Sequence, residues 1–454
     1  MGELDRPRRI HVIGVGGAGM SGLAKLLAQA GHTVTGSDLK PGRALSGLAG
    51  VGVETWVGHR PERAAEWDLV VRSSAVPDRD PEARAAVAAG VPVWQRPRLL
   101  GAMTETMPAI GIAGTHGKTT TSAMAVAALR GLGRDPTFMV GGELIRLHTN
   151  AHLGDPGLFV LEADEAFGTF LELNLGSMLI TSVEADHLDY YDDLAAVEDA
   201  FAAVADRVPG PVVVCRDDPG AVRLARRLPD AVGYGTDPGS AWRLDDLRAT
   251  GDGVAFTLLG PDCETPVAVS RPGAHSARNA AGVLALMGEL GFDVAAAAEA
   301  LASFAGVRRR FEVKARFDDV VVVDDYAHHP TEVTATIEAA RSMGSRGVLA
   351  VFQPHRYTRT AELAAGFGPA LAAADRVVVT DVYAAGETPI PGVTGRLVAE
   401  AVARAGREAD YVKDRRAVAP LVAEAARPGD VILVMGAGDV TLTADEIVAR
   451  LGER

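Results

Sequence analysis

Short apolar runs recur along most of this chain, each ending in glycine, hydroxyl or carboxylate residues and each followed by apolar positions every three to four residues. That pattern predicts strands buried on both faces and joined by amphipathic helices, the build of a mostly parallel α/β sheet. The sharpest unit is residues 108–122, Pro-Ala-Ile-Gly-Ile-Ala-Gly-Thr-His-Gly-Lys-Thr-Thr-Thr-Ser. A strand from Ile110 to Ala113 runs into a glycine turn there, and Gly117-Lys118-Thr119 opens a helical pattern through Met124, Ala128 and Leu129. An earlier unit has a strand from Ile10, the glycine run Gly14 to Gly22, a helix to about Ala30, and a strand from Thr33 that ends at Asp38; Asp68 to Ser74 and Val91 to Trp94 read as further strands. Beyond the second loop, strands are expected at Leu158 to Leu161 and Ser177 to Val183, and a helix at Leu194 to Val204 capped by Asp193. Between Ala231 and Ser270 the segments shorten, with turns at Gly251-Asp-Gly253 and Gly260-Pro261, which predicts an antiparallel excursion.

Past Gly306-Val-Arg-Arg-Arg310 the alternation becomes regular. Strands are expected at Val320 to Asp325, Gly347 to Gln353, Val377 to Asp381 and Asp430 to Met435, with helices at Glu332 to Ser342, Ala361 to Ala374, Arg396 to Ala405 and Ala444 to Leu451. The chain is therefore read as α/β in three domains: an N-terminal Rossmann-like domain (1–107), a central P-loop-type domain with a mostly parallel sheet and the antiparallel excursion (108–308), and a C-terminal Rossmann-like domain (309–454).

The central loop carries phosphate-binding chemistry. Gly114 and Gly117 let the backbone of Thr115, His116 and their neighbours curl around phosphate oxygens, the helix N-terminus adds its positive end, Lys118 reaches the outer phosphates, and a hydroxyl of Thr119 or Thr120 can ligate Mg²⁺. The standard loop starts with a glycine five positions before the Gly-Lys pair, where this chain has Ile112; Gly114 begins a shorter loop. Of the 45 lysines and arginines only five are lysines (Lys25, Lys40, Lys118, Lys314, Lys413), so a lysine kept here against an arginine bias marks a chemical requirement.

The first loop fits Gly-x-Gly-x-x-Gly through Gly14, Gly16 and Gly19, with Asp38 placed for a ribose hydroxyl. Its physics asks for a diphosphate at a helix N-terminus, which a UDP-linked ligand meets as well as NAD. A nicotinamide-dependent oxidoreductase would leave the second loop without a role. The strands after that loop end in Glu162-Ala-Asp-Glu165 and Glu184-Ala-Asp-His187-Leu-Asp189; in a parallel sheet both ends lie beside the loop, where carboxylates and a histidine can hold Mg²⁺ or simply cap helices. His275 and Asn279 open another helix, where caps are the commoner role. Polar residues also crowd three strand ends of the last domain, Asp324 to Glu332, Gln353 to Arg359 and Asp381 to Glu387.

Composition narrows the partners. A net charge of −14 argues against duplex nucleic acid or an anionic membrane surface, and no apolar run approaches the ~18–20 residues of a membrane span. The first nine residues lack a signal-peptide core, and Cys215 and Cys263 are no disulfide framework, so a reducing cytoplasm is expected.

With Gly14–Gly22, Gly114–Thr121, Asp324–Glu332, Phe352–Arg359 and Asp381–Glu387 in view, the chain resembles the muramyl ligase family of peptidoglycan synthesis over essentially its full length. The resemblance implies that the first domain binds UDP-N-acetylmuramate, the central domain binds ATP, and the third helps admit the amino acid. By the same resemblance Lys118 holds the outer phosphates, Thr119, Glu162 and His187 ligate magnesium, and His275 and Asn279 lie near adenine. Asp325, His328, Arg356 and Arg359 would face nucleotide and nucleotide sugar, and Gly16, Gly17, Gly19, Ser21, Asp38 and Ser73 would line the sugar-nucleotide site. Within the family the form Gly-Gly-Ala-Gly-Met-Ser of the first loop favours members that add L-alanine over the recycling members that add a tripeptide. The expected assembly is a monomer or homodimer. Glu165-Ala166-Phe167 departs from the more common Glu-Ser-Asp continuation. Several relatives place a carbamylated lysine in the central domain, but no lysine lies between Lys118 and Lys314 here, so turnover is expected to be independent of bicarbonate.

Overall fold

The computed structural model describes residues 4–187, 190–317 and 320–453; Leu188 and Asp189, the end of the second acidic cluster, lie outside them. Three sheets carry the chain. The first has β1 (Arg9–Ile13), β2 (Thr33–Asp38), β3 (Glu54–Val57), β4 (Leu69–Arg72) and β5 (Val93–Gln95) in the order 3-2-1-4-5, all parallel. Its order reverses between β1 and β4, so the crevice for a ligand opens where Gly14 and Ser73 begin their loops. A Cβ on Gly14 would meet that of Ser73 at 3.3 Å.

A buried network underpins the end of β2. Glu82 Oε2 accepts from Ser37 Oγ at 2.5 Å, and Oε1 accepts from Trp56 Nε1 at 3.1 Å and Arg60 N at 2.8 Å. His11 Nε2 lies 3.4 Å from the same carboxylate, with its ring stacked between Trp56 and Trp67. Burial holds His11 below its ordinary pKa, so this contact is a hydrogen bond to a carboxylate rather than an ion pair. Burial alone would raise Glu82, but hydrogen bonds from His11, Ser37 and Arg60 N outweigh it and bring the carboxyl down to about 2.

The second sheet comprises β6 (Ala109–Ala113), β7 (Pro136–Leu144), β8 (Thr149–His152), β9 (Asp155–Glu162), β10 (Leu175–Ile180), β11 (Val212–Cys215), β12 (Val232–Gly235), β13 (Trp242–Ala249), β14 (Val254–Leu259) and β15 (Glu264–Val269), in the order 15-14-13-12-11-10-6-9-7-8. The fully buried β6 stands between β9 and β10, parallel to both, which brings Glu162 and Thr181 to the two sides of the loop that follows it. Short turns at 250–253 and 260–263 join β13, β14 and β15, which makes these neighbours antiparallel, as the segment spacing predicts. Asp193 caps the helix Leu194–Ala205 through Ala196 N, also as expected. The hairpin β7–β8 has no counterpart in the sequence reading.

That hairpin ties the first two sheets together. Gly22 in the helix Ala18–Gln29 faces Met139, Asn150 and Ala151 so closely that a Cβ would stand 3.1–3.4 Å from them. Asn150 Nδ2 donates to Ala18 O at 2.8 Å, and Lys25 Nζ to Asn150 Oδ1 at 2.9 Å. The first sheet and strands β6 to β12 of the second consequently fall into one compact unit, Met1–Asp245 with Thr257–Val267 and Arg278–Ser303.

The second compact unit is Asp246–Phe256, Ala268–Ala277 and Phe304–Arg454. Its sheet has β16 (Glu312–Phe317), β17 (Val320–Asp325), β18 (Gly347–Phe352), β19 (Arg376–Thr380), β20 (Ala409–Val412) and β21 (Asp430–Met435) in the order 16-17-21-18-19-20. Among the described residues only the edge strand β16 is antiparallel to its neighbour. Branched apolar residues of β17, β18 and β21 are buried on both faces, beneath helices such as Pro330–Ser342 on one side and Val418–Ala425 on the other. The helix read at Ala361 starts at Tyr357, because Arg356, at φ +69, turns the chain into it four residues earlier.

Candidate active site

The loop after β6 is shaped by two glycines. Gly114 sits at φ +126, and a Cβ there would stand 2.1 Å from Thr181 Oγ1 and 2.9 Å from Ser182 N. Only glycine fits so near β10 in that conformation. The close approach lets Thr115 N donate to Ser182 O at 2.9 Å and His116 N to Ser182 Oγ at 3.0 Å. Thr181 Oγ1 in turn donates to His116 O at 2.5 Å, and Glu184 N to Thr115 Oγ1 at 2.8 Å. The end of β10 therefore holds the loop, beside it as the parallel order predicts. Gly117, left-handed at φ +81, is the N-cap of the helix Lys118–Gly131, and a Cβ on it would reach 3.0 Å from Asn279 Oδ1. Asn279 is buried against the phosphate loop itself; His275, one helical turn earlier in sequence, is grouped with the other compact unit.

Lys118 meets carboxylates. Its Nζ lies 2.6 Å from Glu165 Oε2 and 3.3 Å from Asp164 Oδ1. Burial opposes its charge, yet these anions outweigh the burial and raise its pKa, so the ammonium is firmly charged. Asp164, which burial would raise, is drawn below the usual carboxylate range by Lys118, Arg96 and His187. Glu165 is raised by burial in spite of Lys118. Beside them Glu162 Oε1 accepts from Thr119 Oγ1 at 3.1 Å, and Oε2 from Gly141 N on β7 at 2.7 Å.

The expected metal ligands thus form two neighbouring groups around Lys118, Thr119 with Glu162 and His187 with Asp164 and Glu165, the last three offering ligand atoms within 4.8 Å of one another. His187 is held at φ +56, in the left-handed region that few residues other than glycine adopt. Glu165 Oε1 is buried without a hydrogen-bond partner, an orphan that a cation would satisfy, and the oxygen-rich donor set suits Mg²⁺. The sequence placed Glu165 in the acidic cluster without a role; its pairing with Lys118 is visible only once β9 and the loop are side by side.

At the first loop Asp38 Oδ2 accepts from Gly16 N at 2.9 Å and Oδ1 from Lys40 N at 3.1 Å, so the residue expected at a ribose also fixes the loop backbone. Gly17 caps the helix Ala18–Gln29. Ser21, buried in that helix, turns its hydroxyl back to Ala18 O, and Ser73 Oγ accepts from Ala75 N. Gly19 faces the Arg96 guanidinium, a residue that no local motif singles out.

In the second unit both Asp325 oxygens are taken by backbone, from Phe311 N at 2.6 Å and Ala327 N at 2.7 Å, and burial raises the carboxyl to about 6. Its contacts pin the chain entering this sheet, a structural task beside the one expected of it. His328, brought down to about 4 by burial, lies 3.0 Å from Tyr326 O. Arg356 Nε donates to Glu387 Oε1 at 2.6 Å, and Arg359 stands within electrostatic reach of His328 and His355. His355, stacked on Tyr383 with Nδ1 buried and unpartnered, joins this group; it lies in the Gln353–Arg359 run but carried no assignment.

A phosphate loop, an in-line lysine, and paired carboxylates at a sheet switch point define a nucleotide-binding α/β enzyme. Three family models match in succession: Mur ligase family, catalytic domain over residues 9–107, Mur ligase middle domain over 112–287, and Mur ligase, glutamate ligase domain over 309–438. The UDP-N-acetylmuramate–L-alanine ligase of Acidothermus cellulolyticus is 45% identical over 84% of this chain and 82% of its own, and that of Mycobacterium marinum 44% over 98% and 95%. Among solved structures, the UDP-N-acetylmuramate-alanine ligase of Thermotoga maritima matches 98% of this chain and 99% of its own with a TM-score of 0.85 at 28% identity. A murein peptide ligase of Psychrobacter arcticus matches the same shares with a TM-score of 0.70 at 26%. The chain belongs to the Mur ligase family.

Proposed function

We propose that this protein is the ATP-dependent ligase that joins L-alanine to UDP-N-acetylmuramate in the cytoplasm, as a monomer or homodimer. The observation that carries the reading is the charged Lys118 at the head of a phosphate loop, with Thr119 and Glu162 on one side and Asp164, Glu165 and His187 on the other. The relatives' names supply the substrates, and the higher TM-score to the alanine-adding structure than to the murein peptide ligase favours a single amino acid over a tripeptide. No helix among the described residues is long and apolar enough to cross a membrane.

In this reading residues 1–107 bind the nucleotide sugar at the first glycine loop, 108–308 bind ATP, and 309–454 form the ligase domain. An oxygen of the lactyl carboxylate attacks the γ-phosphorus, ADP leaves, and an acyl phosphate forms. The alanine amine attacks the acyl carbon, sheds a proton and expels phosphate, leaving the amide. Lys118 meets the transferring phosphoryl oxygens, where charge is redistributed in the transition state. Mg²⁺ would neutralise phosphate charge, held by Thr119, Glu162 and His187 with Asp164 and Glu165 adjoining. His275 and Asn279 are assigned to the nucleotide, and Asp325, His328, Arg356 and Arg359 to the substrates' outer parts. The test is phosphate release from ATP and UDP-N-acetylmuramate with single amino acids, or the tripeptide, added in turn. Release that requires L-alanine supports the reading; release that only the tripeptide elicits, or none, overturns it.

A further inference from the structure

Arg96 opens the helix Arg96–Thr106, and its guanidinium lies against the first turn of the helix Ala18–Gln29, where a Cβ on Gly19 would stand 3.1 Å from both Cζ and Nη1. Its Nε is buried without a hydrogen-bond partner, and no ion pair holds the group among the described residues. Several other partly buried arginines are matched, among them Arg356 with Glu387, Arg415 with Glu446 and Arg376 with Asp430. A guanidinium does not shed its proton, and a half-buried one with no close ion pair, and only the longer-range field of Asp164 to offset it, is under-compensated, so it is poised for an anion brought from outside. Its position narrows which anion. It stands at the glycine loop that suits a diphosphate, and its field reaches Asp164, which pairs with Lys118. It thus lies between the loop for the nucleotide end and the lysine for the reacting end.

We propose that Arg96 is a substrate-positioning residue that takes an oxyanion of the nucleotide sugar, with its planar fork presented to the diphosphate or to the lactyl carboxylate. The inference rests on the functional reading above and adds a residue to it. Titration calorimetry on the full chain separates the possibilities, with UDP-N-acetylmuramate, with UDP-N-acetylglucosamine, which has the diphosphate but no lactyl carboxylate, and with ATP. Arg96→Ala should weaken UDP-N-acetylmuramate about 10- to 100-fold, the loss of a charged hydrogen-bond pair, with KM for that substrate rising in step and ATP affinity unchanged. Arg96→Lys should recover part of the loss. Equal weakening of UDP-N-acetylglucosamine assigns the diphosphate; weakening of the muramate alone assigns the carboxylate. A folded Arg96→Ala enzyme with unchanged affinity and KM for the nucleotide sugar overturns the proposal, as does a loss confined to kcat or to ATP. A wild-type chain that binds no nucleotide sugar instead overturns the functional reading.

Discussion

Two glycine loops of this chain follow the same path from a central strand into a helix, yet they obtain their charge differently. After β6 the cation is in line: Lys118 is the first helical residue, and β9 supplies its carboxylates. After β1 no lysine heads the helix, Lys25 further along it being turned to Asn150; Asp38 holds the loop from β2, and the nearby guanidinium of Arg96 comes from a helix some 75 residues further on. In the proposed reading, a phosphate that only needs to be held is served by backbone amides and a remote positive group. One whose charge moves during reaction calls for a cation fixed to the same turn.

The largest expected effect tests that division directly. Lys118→Ala should lower phosphate release by about three orders of magnitude or more, the scale of removing a cation from a phosphoryl transition state, and leave UDP-N-acetylmuramate affinity within a few-fold. Single-turnover phosphate release with calorimetry on the same preparation measures both, and retained turnover would remove the loop from catalysis.

The support beneath the first loop can be broken by acid. Glu82 titrates near 2 in the folded chain against 4.5 ordinarily, so its stabilisation is present above pH 4.5 and is lost as pH falls toward 2. The cycle gives an upper bound of about 3 kcal/mol. Glu82→Gln should therefore lower the melting temperature at pH 7 and flatten its decline between pH 4.5 and 2; a variant with the wild-type acid profile would show that Glu82 is not the group.

Glycines sharpen the contrast between the loops. Gly114→Ala meets left-handed backbone and Thr181, a cost of about 1–3 kcal/mol from strain alone, and ATP affinity should fall with stability. Gly17, at φ −69 with only Gly14 O near, at 3.7 Å, should accept alanine with little change in stability. Chemical denaturation of the two variants compares them, and equal losses would contradict the different packing of the two turns. The smallest effect belongs to His187→Ala, expected to raise the Mg²⁺ requirement about 10-fold while barely moving UDP-sugar affinity. A magnesium titration of turnover that is unchanged from wild type would take His187 out of the metal site.

What could be read in the sequence followed from local pattern. Gly114 to Thr119 and the strand before Glu162 announce themselves because glycine, lysine and the apolar run are contiguous, and the branched strands of the last sheet because they are buried on both faces. The hairpin β7–β8 was not legible, since its strands mix apolar residues with Gly141, Gly142 and a polar edge, and its partner is a helix over a hundred residues earlier. The pairing of Lys118 with Glu165 and the unmatched charge of Arg96 are invisible for the same reason: each is a relation between elements, fixed by sheet order rather than by spacing.

The Lys118–Glu165 contact also bears on what an inhibitor aimed at this loop must look like. A tethered carboxylate already occupies the ammonium as a phosphate oxygen would, at the high effective concentration of an intramolecular partner. A purely anionic compound has to evict that resident and leaves Asp164 and Glu165 uncompensated, whereas a zwitterion that gives Lys118 an anion and these acids a cation exchanges like for like.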